Sequence, residues 1–188
     1  SPNISGKYAY VISGTGSASR LHVFDISNAS SIVTKGYTSA NLNEPYDLYV
    51  SGKYAYVASY TNNRLCIFDI SNPDSIVAKA YTSSVLTGPS RLYVSGKYAY
   101  VTAESNNRLC IFDISNPASI VTKGYTGVGL SSPYGLYVSG KYAYVADWFN
   151  SRLCIFDVSN PDSIAAKGYA NDLRFTSDVY VSGKYAYV

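Results

Sequence analysis

Three cysteines and one histidine are the residues of this chain best suited to chemistry, and they stand in register. His22, Cys66, Cys110 and Cys154 follow one another at intervals of 44 residues. A Cys3His set holds zinc when all four ligands lie about 2 Å from one ion. The spacing argues against that. Each of the four occupies the same place in a repeated strand, and equivalent residues of neighbouring sheets stand about 10 Å apart. Disulfides are excluded on the same ground, because Cα atoms more than about 7 Å apart cannot be bridged. All four are therefore expected to be buried core residues. A Ser/His/Asp triad would need the single histidine, whose position is filled elsewhere by Cys. No P-loop, HExxH or glycine-rich nucleotide fingerprint occurs. No catalytic residue, metal or cofactor is assigned, and the chain reads as non-enzymatic. Asp25, Asp69, Asp113 and Asp157 close the same strand, where a carboxylate can accept N–H bonds from the following turn; a calcium site is the alternative.

The elements that must carry these residues repeat. "SGKYAYV" begins at residues 5, 51, 95, 139 and 182, and residues 49–92 match 93–136 at 30 of 44 positions. A period near 44 with strand-like content is the pattern of a propeller blade, one four-stranded sheet per repeat. Within a repeat, "DLYV" (47–50) and "KYAYVAS" (53–59) form a hairpin through a Ser-Gly turn, "RLCIFDIS" (64–71) is a third strand, "NPDS" (72–75) a turn, and "IVAKAYT" (76–82) the fourth strand. We name these strands A to D. In "KYAYV" both tyrosines point one way and Ala and Val the other, so each blade has a large face and a small one, suited to stacking. Strand C is apolar on both faces, with Cys66 and Phe68 opposite Leu65 and Ile67.

Composition agrees with an all-β chain: 21 Tyr, 14 Gly and 7 Pro, 47% hydrophobic and 14% charged residues. No apolar run approaches the roughly 18 residues of a membrane helix, so no membrane insertion is expected. A net charge of +3, with lysines recurring singly at fixed repeat positions, gives no nucleic-acid footprint. The lysines of strand D (Lys35, Lys79, Lys123 and Lys167) are the kind that keep sheet edges from aggregating.

At "LCIFD" (65–69, 109–113 and 153–157) and "LHVFD" (21–25), with "ISNP" after and "YAYVA" before, the chain resembles the LVIVD-repeat family. The resemblance covers nearly the whole chain and implies a β-propeller of bacterial or archaeal cell surfaces, with binding or adhesion as its role. It implies no chemistry. Together with the absence of Met and the richness in Ser, Asn, Thr and Tyr, it gives an extracellular or cell-surface location as the expectation.

Counting strands gives about four blades in one propeller domain or propeller segment: repeats 5–48, 49–92, 93–136 and 137–179, then a partial repeat 180–188. With "SPNI" as a stub, closure into four blades would make strand A at 178–181 complete the first blade, leaving one surplus "SGKYAYV". Either the chain is a segment of a longer array, or the surplus strand pairs with another copy, in a homo-oligomer or by strand exchange.

Variation between repeats marks one face. A-B and C-D turns never change length, whereas B-C and D-A loops do, and antiparallel reversal opens those two on the same side. Their side chains supply the candidate partner-binding set: Tyr46, Tyr60, Arg91, Glu104, Tyr134, Trp148, Phe149, Arg174 and Phe175. Exposed aromatic and Arg residues on rigid loops are typical anchors. The expected function is an interaction or assembly module binding a protein partner or itself. A lectin-like carbohydrate binder is the alternative, although a lectin should repeat one polar and aromatic set in every blade.

Overall fold

The computed structural model describes residues 2–174 and 176–188. Blade 1 contains β1 (Asn3–Ser5), β2 (Tyr8–Ser13), β3 (Arg20–Asp25) and β4 (Val33–Thr38). Blade 2 contains β5 (Pro45–Ser51), β6 (Tyr54–Ser59), β7 (Arg64–Asp69) and β8 (Val77–Tyr81). Blade 3 contains β9 (Pro89–Ser95), β10 (Tyr98–Ala103), β11 (Arg108–Asp113) and β12 (Val121–Thr126). Blade 4 contains β13 (Pro133–Ser139), β14 (Tyr142–Asp147), β15 (Arg152–Asp157) and β16 (Ala165–Ala170). The hairpin β17 (Tyr180–Ser182) and β18 (Tyr185–Tyr187) ends the chain. Each blade is an antiparallel meander in chain order. The only helical turn among the described residues is Gly16–Ala18, and no helix is long and apolar enough to cross a membrane.

Local chemistry explains the repeat. In each A-B turn the Gly takes a positive φ, as at Gly52 (57°) and Gly96 (57°), a conformation that costs glycine nothing. The aspartate closing strand C accepts the amide of the residue two places on, as Ser71 donates to Asp69 at 3.0 Å and Ser115 to Asp113 at 2.9 Å. In the C-D turn the Asn side chain does the same, with Asp74 donating to Asn72 Oδ1 at 3.1 Å. These are local side-chain brackets that end one strand and aim the next.

The blades join large face to small face, as the alternation in "KYAYV" implies. Between blades 1 and 2, Tyr10, Leu21 and Val23 pack on Leu48, Val57, Cys66 and Phe68. Between blades 2 and 3, Tyr56, Leu65 and Ile67 pack on Val94, Val101, Cys110 and Phe112. Between blades 3 and 4, Tyr100, Leu109 and Ile111 pack on Val138, Val145, Cys154 and Phe156. Phe68 and Phe112 are fully buried, each contributing about 1.5–3 kcal/mol. Along strand A, Tyr49, Tyr93, Tyr137 and Tyr180 form a ladder with centroid separations of 5.5, 5.1 and 5.3 Å.

Two features differ from the strand count. Residues 3–5 are not a stub: they pair with β2 as the inner strand of blade 1. Asn3 stands where later repeats have Tyr, and its carboxamide donates to the Leu48 carbonyl (2.8 Å) and accepts from the Val50 amide (3.2 Å), fastening β1 to blade 2. The first blade therefore has its own strand A, and Tyr180–Ser182 pairs with Tyr185–Tyr187 instead. The terminal "SGKYAYV" is ordered beside its strand A as its repeats are, yet Tyr185 and Tyr187 stay 58% exposed because no further blade covers them.

Candidate functional site

A bulge in strand A builds the site. Pro45 opposes Ser59 and Asp47 opposes Ala58, so Tyr46 is an extra residue without a partner in the ladder. Ser90 and Tyr134 are extra in the same way. A bulge re-aims its side chain out of the sheet: Tyr46 meets Tyr60 of the B-C loop and Tyr134 lines a cleft with Trp148, whereas Ser90 is fully buried. Buried hydroxyls hold the geometry: Ser90 Oγ donates to the Pro133 carbonyl (3.1 Å) and Thr102 Oγ1 to the Tyr134 carbonyl (3.2 Å), linking blade 3 to blade 4 under the bulge.

The B-C loops lie on the D-A loops, which puts both on one face as expected. The Tyr60 amide donates to the Glu44 carbonyl (2.9 Å), Glu104 to Gly88 (2.8 Å) and Trp148 to Ser132 (3.2 Å). Glu44, Gly88 and Ser132 all have positive φ, at 49°, 62° and 51°. The Thr61 hydroxyl also bonds to the Glu44 carboxylate. Below Trp148, the fully buried Asp147 accepts from the Ser131 amide (2.9 Å), Asn150 Nδ2 (2.8 Å) and Arg152 Nε (3.1 Å). This lock holds the turn at 148–151, closed by the Ser151 amide on the Trp148 carbonyl at 3.2 Å.

Glu104, Tyr134 and Trp148 come together with Ser177 around a cleft of about 350 Å³. Arg91 lies over the Tyr134 ring at 4.6 Å. Tyr46 stacks on Tyr60 at 4.4 Å and 21°, and the Tyr60 hydroxyl is 3.4 Å from Ser105 Oγ. Burial raises the Tyr46 pKa, and Tyr134, Tyr60, Glu44 and Glu104 add to the rise through their charge. Trp148 is 40% and Phe149 70% exposed. Arg174 is exposed outside the cleft lining, and Phe175 lies outside the described residues.

Sequence reading missed Ser177, which has no distinguishing residue type, and the supports Asp147, Ser90 and Thr102. Their signal is departure from the repeat: Asp147 stands where blades 2 and 3 have Ser59 and Ala103. Asp47 was missed too. Its side chain accepts from the Leu92 amide of the next blade at 2.9 Å, and burial raises its pKa.

The cysteines do what their spacing requires. Cys66, Cys110 and Cys154 are free and buried, and burial pushes their thiols up to about 12, 12 and 11. His22, expected to be buried with them, is instead only half-buried, with its ring 3.0 Å from Ser13 Oγ, because the small face of blade 1 on which it lies is not packed against another blade. Among the described residues no cluster of three or more His, Cys, Asp or Glu is placed to hold a metal ion. The cleft offers two aromatic faces, one carboxylate and a neighbouring guanidinium, a set suited to binding.

The chain is similar in fold to several solved structures. One is a protein of unknown function from Desulfotomaculum acetoxidans, 14% identical, with a TM-score of 0.79 over 96% of this chain and 58% of that one. Another is the periplasmic gluconolactonase of Pseudomonas aeruginosa, 15% identical, TM-score 0.73, covering 92% of this chain and 53% of that one. A third is BamB from Moraxella catarrhalis, 16% identical, TM-score 0.70, covering 99% and 52%. At these identities the likeness is one of fold alone, and this chain spans little more than half the length of each. No curated protein matches it by sequence. The LVIVD repeat model matches residues 3–39, 45–82, 89–126, 134–172 and 174–188. With five matches over most of its length, the chain belongs to the LVIVD repeat family.

Proposed function

We propose that this chain is a non-enzymatic interaction module of an extracellular or cell-surface protein, gripping a protein partner with the B-C/D-A loop face. The observation that carries this reading is the cleft between Glu104, Tyr134, Trp148 and Ser177, flanked by Phe149 at 70% exposure. Trp, Tyr and Arg on a rigid, solvent-facing surface are the usual anchors of protein interfaces. Loops of individual sequence on a repeated frame supply one particular surface, where a repeated ligand site would keep one residue set. The lactonase among the structures of similar fold lends no residue to this site, because the likeness does not extend beyond fold.

A second reading rests on the same cleft: a Tyr and a Trp ring beside a carboxylate and a hydroxyl also suit the apolar and polar faces of a sugar. Capture of partners from the source organism's surface extract, compared between the wild-type chain and the double variant Trp148→Ser/Phe149→Ser, separates the two when run beside a glycan array. The expected result is a defined partner whose affinity falls at least tenfold in the variant, with no glycan bound. Glycan binding abolished by Glu104→Gln would overturn the protein-partner reading. Turnover of a lactone by the wild-type chain would overturn the non-enzymatic one.

A further inference from the structure

The rim of the joint between blades 2 and 3 lacks a closure that the joints on either side of it share. Between blades 1 and 2, Lys35 of β4 pairs with Asp74 in the C-D turn of blade 2 at 3.0 Å. Between blades 3 and 4, Lys123 of β12 pairs with Asp162 at 2.9 Å. Beside each ion pair a glycine lets the turn approach: a methyl on Gly36 would stand 2.8 Å from the Pro73 carbonyl oxygen, and one on Gly124 2.6 Å from that of Pro161. Between blades 2 and 3 both partners are replaced at once. Ala80 stands in the place of the glycine and Ala118 in the place of the aspartate. Seated as in the sister joints, the turn would drive its carbonyl into the Ala80 methyl, well inside the roughly 3.5 Å of a van der Waals contact. The rim stays open there as a cleft of about 490 Å³, running along β8 from Ala78 to Tyr81 and bounded across the joint by Ala118 and Ile120.

Lys79 lines this cleft without the partner its copies have. Lys35 and Lys123 are half-buried in their ion pairs, whereas Lys79 is exposed, and among the described residues no carboxylate pairs with it. The Asp69 carboxylate on strand C of the same blade is taken by the Ser71 amide and hydroxyl, at 3.0 and 2.6 Å. At the upper end Arg64 lies over Tyr81 at 4.0 Å and donates to Asn41 Oδ1 at 3.2 Å, adding a second positive charge. No Asp or Glu is among the residues that line the cleft. We infer that the cleft binds an acidic segment of a partner protein, laid along β8 with a carboxylate on Lys79. The sister joints show the contact, an aspartate from the adjoining turn on the same lysine at 2.9–3.0 Å; at this joint the carboxylate comes from another molecule. From Ala78 to Tyr81 the cleft has the length of an extended stretch of about four residues. Both walls belong to complete blades inside the chain, and the site is separate from the loop face.

The probe is the peptide acetyl-Ser-Asp-Ser-Asp-Ser-amide, with its Asn counterpart as neutral control, and the readout is the NMR shift of the Ala80 and Ala118 amides. Saturable shifts are expected with the acidic peptide, at least about fivefold weaker with the neutral one, and weaker again as salt rises, because the contact is between charges near the surface. Lys79→Gln should abolish them. Lys97→Gln, which removes the same charge from an A-B turn, should leave them as in the wild type. Ala118→Asp supplies the missing carboxylate from within the chain and should block the peptide. Unchanged circular dichroism confirms that each variant folds. The absence of any shift up to about 20 mM peptide overturns the inference, as do equal shifts from the neutral peptide or binding by Lys79→Gln at wild-type strength. Acetate that reproduces the shifts at matched carboxylate concentration overturns the segment and leaves a contact for a single ion.

Discussion

His22 is the one member of its repeat column that can change charge near neutrality. Its ring stacks on Phe24 at 5.8 Å and lies 5.9 Å from Tyr37. Burial lowers its pKa from 6.5, and the Arg20 charge lowers it further. The folded chain therefore binds fewer protons at this site than the unfolded one, so its stabilising contribution is present above pH 6.5 and is lost as pH falls below that value. His22→Cys, which restores the residue of the other blades, should remove this acid sensitivity. Urea midpoints at pH 7.5 and 5.5 check it: the wild-type midpoint should fall more between the two than the variant's. The three thiols, by contrast, were legible from spacing alone, since a column of identical small residues in a doubly apolar strand has nowhere to lie but between sheets.

At the scale of elements, the strands and their facing were readable because "KYAYV" alternates large and small, and because Gly, Asn-Pro and Asp punctuate it at fixed places. The bulge was not readable. Its register depends on Pro45, Pro89 and Pro133 lacking an amide to donate, which one strand's sequence does not reveal as one extra residue. The first strand A was also hidden, because Asn3 replaces the Tyr of the "LYV" pattern and earns its place through bonds to the neighbouring blade. The loop carrying Trp148 and Phe149 rests on an element that a repeat alignment shows only as an oddity, Asp147. Replacing it with Ala removes one partner of a buried ion pair and should cost about 3 kcal/mol, or a melting temperature lower by roughly 6–12 °C. Thermal melts followed by circular dichroism check this, and a loss confined to the Trp148 signal would show the lock to be local.

As a whole molecule, the chain is a series in which each blade packs on its neighbours in sequence. Stability in such a series is the sum of units and joints, so its middle should be firmer than its ends. Phe112→Ala, at a joint buried on both sides, should cost about 3–5 kcal/mol. Phe24→Ala, on the open face of blade 1, should cost clearly less although it occupies the same repeat position. Denaturant unfolding of the two variants at low protein concentration compares them directly, and equal losses would mean that blade 1 is covered in solution.

The placement of the aromatic rings gives the molecule its own optical probe. Twenty-one tyrosines, four of them in a ring ladder along the inner strands, absorb light, and a single indole at the loop face is the acceptor to which their excitation can pass. Emission from Trp148 thus reads out the cleft alone while the frame beneath it collects the energy. Occupation of the loop face and loosening of the blades would register as two separable changes in one spectrum, with no label attached.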